Sequence, residues 1–173
     1  IKTIAVATRI IKNVIFAKEN IFNVLNQYLD FEGITALDLF SGTGSISLEL
    51  VSRGCARVIG VEMDRDHHRF IAECLKKLDT DRCIPLRGDV FRFIKSCKQQ
   101  FNFIFADPPY ADSGKLFQKL LFQPRFAEDF AGAKIFWEIP DTPGALGEFM
   151  DMPGLSHSEV RKFGGTLFLM GTI

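Results

Sequence analysis

Three observations predict an α/β fold built on one mostly parallel sheet. Short apolar runs alternate with stretches whose apolar residues recur at helical spacing, and glycine-bearing turns stand where one pattern gives way to the other. The C-terminal stretch, Ser156 to Ile173, instead holds two strand-like runs around Gly164-Gly165, with no room for a crossover helix. Parallel neighbours need helical crossovers of the length seen in the earlier repeats, and such helices cover both faces of a sheet. The expectation is therefore a Rossmann-like fold: seven strands, mostly parallel, helices on both faces, and an antiparallel C-terminal hairpin strand.

The elements follow in order. From Ala17 to Leu29 the residues Ala17, Ile21, Val24, Leu25, Tyr28 and Leu29 fall on one helical face. After Gly33 come a strand over Ala36–Phe40, a glycine turn, a helix over Ser45–Ser52 and a strand over Val58–Val61. The alternation continues with a helix near Asp66–Leu78, a strand near Ile84–Arg87, a helix near Val90–Cys97 and a strand over Phe103–Ala106. A further strand is read over Ala133–Glu138, before the terminal hairpin. Phe101, Phe103 and Phe105 read as core. At 173 residues and 47% apolar content the chain suits one domain over 1–173, with 1–30 as an N-terminal extension and first helix and 33–173 as the core. No repeat, linker or low-complexity tract divides it.

Twenty-one basic residues balance twenty-one acidic ones, so no global field draws the protein to phosphate backbones or membrane surfaces, and nucleic-acid contact must rest on a local patch. Cys55, Cys74, Cys83 and Cys97 form no CxxC pair and no zinc or disulfide spacing, which predicts reduced, mostly buried thiols. The apolar stretch Ile1–Phe16 is broken by Lys2, Arg9, Lys12 and Asn13, unlike a membrane span or an ordinary signal peptide, and the expected location is cytoplasmic.

Chemistry concentrates in two places. In Asp38-Leu39-Phe40-Ser41-Gly42-Thr43-Gly44 a strand ends in a glycine turn that opens a helix, the position at which open α/β sheets bind ligands. Gly42 and Gly44 allow positive φ and close backbone approach, and Asp38 is placed to hold an ammonium group. Glu62 ends the second strand twenty residues after Gly42, where an acidic side chain meets a ribose diol. Together these describe an adenosine-containing cofactor. A purely structural turn and a nicotinamide site are the rival readings, the latter weakened by Ser47 at the third glycine position. In Gly88-Asp89-Val90 the carboxylate either accepts from an adenine amino group or caps the following helix, and the two roles are compatible.

The second place is Asp107-Pro108-Pro109-Tyr110, directly after an apolar strand. Two prolines fix the backbone and remove two amide donors, leaving carbonyls to accept. A base amino group is a weak nucleophile because its lone pair is delocalised; Asp107 and the Pro108 carbonyl, each accepting one N–H, favour the pyramidal nitrogen that attacks. Tyr110 stacks on a flipped base. A rigid loop or a proline-type ligand for another domain is the competing reading. His67 and His68, after Asp64 and Asp66, read as a solvated helix start and not as metal ligands. Arg161-Lys162 either touches phosphate or is plain surface.

These residues, in this order, resemble the RsmD family of 16S rRNA guanine-N2 methyltransferases, within the class I S-adenosylmethionine-dependent group. The likeness runs from Phe16-Ala17-Lys18-Glu19-Asn20-Ile21-Phe22-Asn23 through the motifs above to Arg161-Lys162-Phe163-Gly164-Gly165-Thr166. It implies that Asp38, Ser41, Gly42 and Gly44 line the methionine end of S-adenosyl-L-methionine, Glu62 and Met63 its ribose and adenine, and Asp89 with Val90 the adenine edge. It implies that Asp107, Pro108, Pro109 and Tyr110 hold the target guanine, and that the partner is 16S rRNA or a small-subunit assembly particle. A monomer is expected, because no long apolar surface helix is left over once the core is assigned. One departure is visible: the family's Arg-Pro-Thr-Thr-Asp-like stretch before the first helix has no counterpart, Arg9 to Ile15 reading Arg-Ile-Ile-Lys-Asn-Val-Ile. Two alternatives stand beside this reading, a DNA adenine-N6 methyltransferase and a non-catalytic module that keeps the cofactor pocket.

Overall fold

The computed structural model describes residues 21–109, 113–141, 149, 154–163 and 166–173. A helix over 21–28 (α1) leads into strand β1 (Thr35–Leu39), followed by α2 (Ser45–Ser52), β2 (Arg57–Glu62), α3 (Arg65–Leu78), β3 (Cys83–Arg87), α4 (Val90–Ser96) and β4 (Phe103–Ala106). Then come α5 (Ser113–Leu121), α6 (Phe126–Asp129), β5 (Lys134–Ile139), β6 (Ser156–Phe163) and β7 (Thr166–Thr172). The part of the expected first helix that precedes residue 21 lies outside the described residues.

Seven strands form one sheet in the order β3-β2-β1-β4-β5-β7-β6. The first five pair in parallel, and β7 is antiparallel to both β5 and β6. This is the expected Rossmann-like arrangement with its antiparallel hairpin. Strand alternation divides the core in two, because successive side chains point to opposite faces. Ala36, Val58, Phe105 and Phe136 pack with Phe22, Leu50 and Ile71 beneath α1, α2 and α3. Leu37, Ile59, Ile104 and Trp137 pack with Ile94, Phe117 and Phe130 beneath α4, α5 and α6.

The sequence reading assigns no helix between Ala106 and Ala133, and the structure has two there. Leu116, Phe117, Leu120 and Leu121 carry the helical spacing of α5, but Gly114 at its second position and Pro124 just after it interrupt the local pattern. The parallel pairing of β4 with β5 is what requires a crossover at that point.

No cysteine is in a disulfide; Cys55 and Cys83 are buried and Cys74 and Cys97 half-buried. Burial pushes the Cys55 and Cys83 thiols up to about 11. Among the described residues no helix is long and apolar enough to cross a membrane, and no group of three or more His, Cys, Asp or Glu could hold a metal ion.

Candidate functional site

The order β3-β2-β1-β4 brings four carboxyl strand ends side by side, with the connections leaving β1 and β4 on opposite faces of the sheet. A crevice opens at such a switch point. Here it is a cleft of about 470 Å³. Phe40 and Gly42 line it after β1, Val61, Glu62 and Met63 at β2, Gly88, Asp89 and Val90 after β3, and Asp107, Pro108 and Pro109 after β4.

The β1 turn is cross-tied to β2. Phe40 takes a left-handed conformation, φ 60°, which costs a non-glycine residue about 1–3 kcal/mol and persists only where its surroundings enforce it. Its ring meets Trp137 edge-on at 6.0 Å. The Ser41 amide donates to the Val61 carbonyl at 3.0 Å, and the Gly42 amide to Glu62 Oε2 at 2.7 Å. The other carboxylate oxygen of Glu62 accepts the Asp64 amide at 2.7 Å. One acidic side chain thus clasps two neighbouring loops while lining the cleft. Gly44, φ 76°, opens α2 against α3: a Cβ there would come within 2.7 Å of Ile71 Cγ1.

Three predicted cofactor residues stand behind the wall. Alternation along β1 places Asp38 with Ala36 on the α2 face, so its carboxylate is 1% exposed and accepts the Ser47 hydroxyl at 2.6 Å. The ammonium contact expected of Asp38 therefore meets an interior geometry. Burial pushes its carboxyl up to about 7, opposed by the hydrogen bonds from Ser47 and reinforced by the nearby negative charges of Asp107 and Glu62. Ser47, noted as a substitute for a glycine, is the partner that makes a buried acid tolerable. Ser41 also turns inward; its Oγ is buried with no hydrogen-bond partner among the described residues. Both hydroxyls rest on the bare backbone of Gly60, where a Cβ would lie 2.8 Å from Ser47 Oγ and 3.3 Å from Ser41 Oγ. Gly44 shapes the turn from the same buried side.

The remaining predicted residues meet in the cleft, except Tyr110, which lies outside the described residues. Asp89 caps α4, its Oδ1 accepting the Arg92 amide at 2.9 Å, and also lines the cleft. Met63 is 70% exposed, an apolar side chain with little cover. The sequence reading missed Phe40, Val61, Asp64, His67 and Gly88 as lining residues. Asp64 is the expected helix start, capping α3 by accepting the Asp66 and His67 amides at 2.9 Å, which hold its carboxyl below the usual range. His67 stands one turn along at the cleft edge, and that spacing was its available signal. Phe40 had none, since positive φ leaves no trace in composition. Arg161 and Lys162 are paired already, with Glu159 at 3.1 Å and Asp141 at 2.5 Å.

Known proteins match this arrangement. A family model described as "Conserved hypothetical protein 95" matches residues 8–141. "Ribosomal RNA small subunit methyltransferase D" of Haemophilus influenzae is 34% identical over 101 residues, covering 54% of this chain and 49% of that protein. The chain spans about half the length of this and two other curated relatives, and a fifth or less of several longer RNA methyltransferases that it also matches. Among solved structures, a conserved hypothetical protein of Streptococcus pyogenes superposes with a TM-score of 0.69 at 23% identity, covering 88% of this chain and 92% of the other. A methyltransferase of Pyrococcus furiosus superposes with 0.67 at 18% identity, covering 87% and 79%.

Proposed function

The chain belongs to the family described as "Conserved hypothetical protein 95", and from that premise we propose that it is an S-adenosylmethionine-dependent methyltransferase acting on the N2 amine of a guanine in small-subunit ribosomal RNA. The observation that carries the reading is the junction of the β1–β3 strand ends with Asp107-Pro108-Pro109 around one cleft. The cleft suits the cofactor in size, since small-molecule sites occupy about 300–1,000 Å³. It suits it in chemistry too, with the carboxylates of Glu62 and Asp89 beside the exposed Met63 side chain, a match for a ribose next to a flat purine.

When bound, the cofactor supplies an electrophilic methyl group on a sulfonium. Gly42, Glu62, Met63, Asp89 and Val90 hold it, while Asp38, Ser41 and Gly44 act from behind by fixing the turn. Asp107 and the Pro108 carbonyl orient the amine by accepting one N–H each, and Asp107 keeps hold of the proton that must leave once the nitrogen has gained its methyl. The small subunit is supported by the name of the Haemophilus relative, and guanine by the overall likeness to the RsmD family. The reading places the protein where ribosomal RNA is, in the cytoplasm.

Transfer of a labelled methyl group from S-adenosylmethionine, offered in parallel to small ribosomal subunits lacking the modification and to DNA, tests the proposal. Label recovered as N2-methylguanine from RNA alone is expected. Label on DNA adenine, or none despite cofactor binding, would overturn it.

A further inference from the structure

The one tryptophan of the chain lies on β5, next to β4 in the sheet and behind the cleft lining. Trp137, fully buried in β5, meets Phe40 of the cofactor turn edge-on at 6.0 Å and Phe117 of α5 at 4.8 Å. Its indole Nε1–H donates to Ser113 Oγ at 2.9 Å. The Ser113 hydroxyl, 1% exposed, donates in turn to the Glu138 carbonyl at 2.9 Å. Ser113 opens α5 four residues after Pro109. Asp107-Pro108-Pro109 follows directly on Ala106, which the β1–β4 and β4–β5 ladders fix and which pairs with Trp137 itself, while Ser113 ties the start of α5 to β5. Neither hydrogen bond is a helix cap or a ladder bond, and a buried hydroxyl that both accepts and donates fixes position in a way an apolar side chain of that size cannot.

We infer that Ser113 and Trp137 are positioning residues for methyl transfer, holding the Asp107-Pro108-Pro109 segment at a set distance from the cofactor turn through Phe40. The inference rests on the function proposed above. Neither residue touches substrate; both act through the segment they fix. A displacement of about 1 Å at a reacting centre costs on the order of 100-fold in rate, so partial slackening of one anchor should cost about 10-fold.

The test compares the parent protein with Ser113→Ala, Trp137→Phe and the double variant, in methyl transfer to small-subunit RNA and in titration with S-adenosylhomocysteine. Expected are a kcat about 10-fold lower in each single variant, a cofactor-product affinity within about twofold of the parent, and a double variant no slower than the singles, because both remove one hydrogen-bonded unit. The emission of Trp137 in Ser113→Ala should shift as its indole bond is lost. Activity within about twofold of the parent, affinity falling in step with kcat, or losses that multiply in the double variant would each overturn the inference, as would failure of both single variants to fold. A parent that binds S-adenosylhomocysteine but methylates no RNA overturns the functional reading and this inference with it. An active parent with active variants overturns the inference alone.

Discussion

The two walls of the cleft are held by different kinds of contact. On the cofactor side local turn and cap bonds, Gly44 to Ser41, Asp64 to Glu62 and Arg92 to Asp89, stand beside backbone-amide ties between strand ends, Ser41 to Val61, Gly42 to Glu62 and Gly88 to Glu62. On the target side the anchor joins Ser113 to Trp137 and to Glu138, more than twenty residues away. Backbone amides that donate to carbonyls and carboxylates tie the first wall, and a buried hydroxyl and an indole tie the second. A buried acid marks the cofactor side, where Asp38 lies with Ser47 and Ser41 under α2; on the face beneath α5 the Ser113 hydroxyl lies among Trp137, Phe117 and their neighbours.

That difference yields experiments in descending order of effect. Asp107→Ala removes the acceptor proposed for the reacting amine and should lower kcat by about 100- to 1,000-fold, the usual loss for one preorganised group, with cofactor affinity within about twofold of the parent; single-turnover kinetics beside calorimetry separate the two. The buried Asp38 carboxyl predicts a pH effect on stability. Its folded value, about 7, lies above its unfolded value, so its contribution is fully present below the unfolded value and is lost as pH rises through about 7. Between pH 4 and 8 this amounts to roughly 2–4 kcal/mol, and the parent should lose that much relative to Asp38→Asn in denaturant titrations across the range.

Glu62→Ala releases both loop amides and removes a carboxylate from the cleft, so cofactor affinity should fall about 10- to 100-fold by calorimetry. Gly44→Ala places a Cβ against Ile71 in a backbone conformation that L residues disfavour, and should lower unfolding free energy by about 1–3 kcal/mol. Loss of RNA methylation in Gly44→Ala with stability intact would show that the turn acts on the target wall as well, and would erase the contrast between the two.

What was legible in the sequence follows the same division. Alternating apolar runs and glycine turns gave the strand order of events up to Ala106, and the Gly164-Gly165 spacing gave the hairpin. The Glu62, Asp89 and Asp107 positions were readable because each closes a strand at a turn. The facing of Asp38 was not, since a buried acid needs a partner from another element and Ser47 lies on α2. Helix α5 was hidden by Gly114 and Pro124, and the Ser113–Trp137 bond by distance along the chain. Phe40 reached the cleft through a backbone twist that its neighbours impose.

The central claim is that one wall binds the cofactor and the other presents the amine. Methyl transfer to small-subunit RNA, measured for Glu62→Ala and Asp107→Ala while S-adenosylmethionine is raised to saturation, tests it most directly. The account predicts that Glu62→Ala regains most of the parent rate at high cofactor and that Asp107→Ala stays slow at every concentration. Recovery of Asp107→Ala, or a Glu62→Ala defect that saturation leaves untouched, would contradict it.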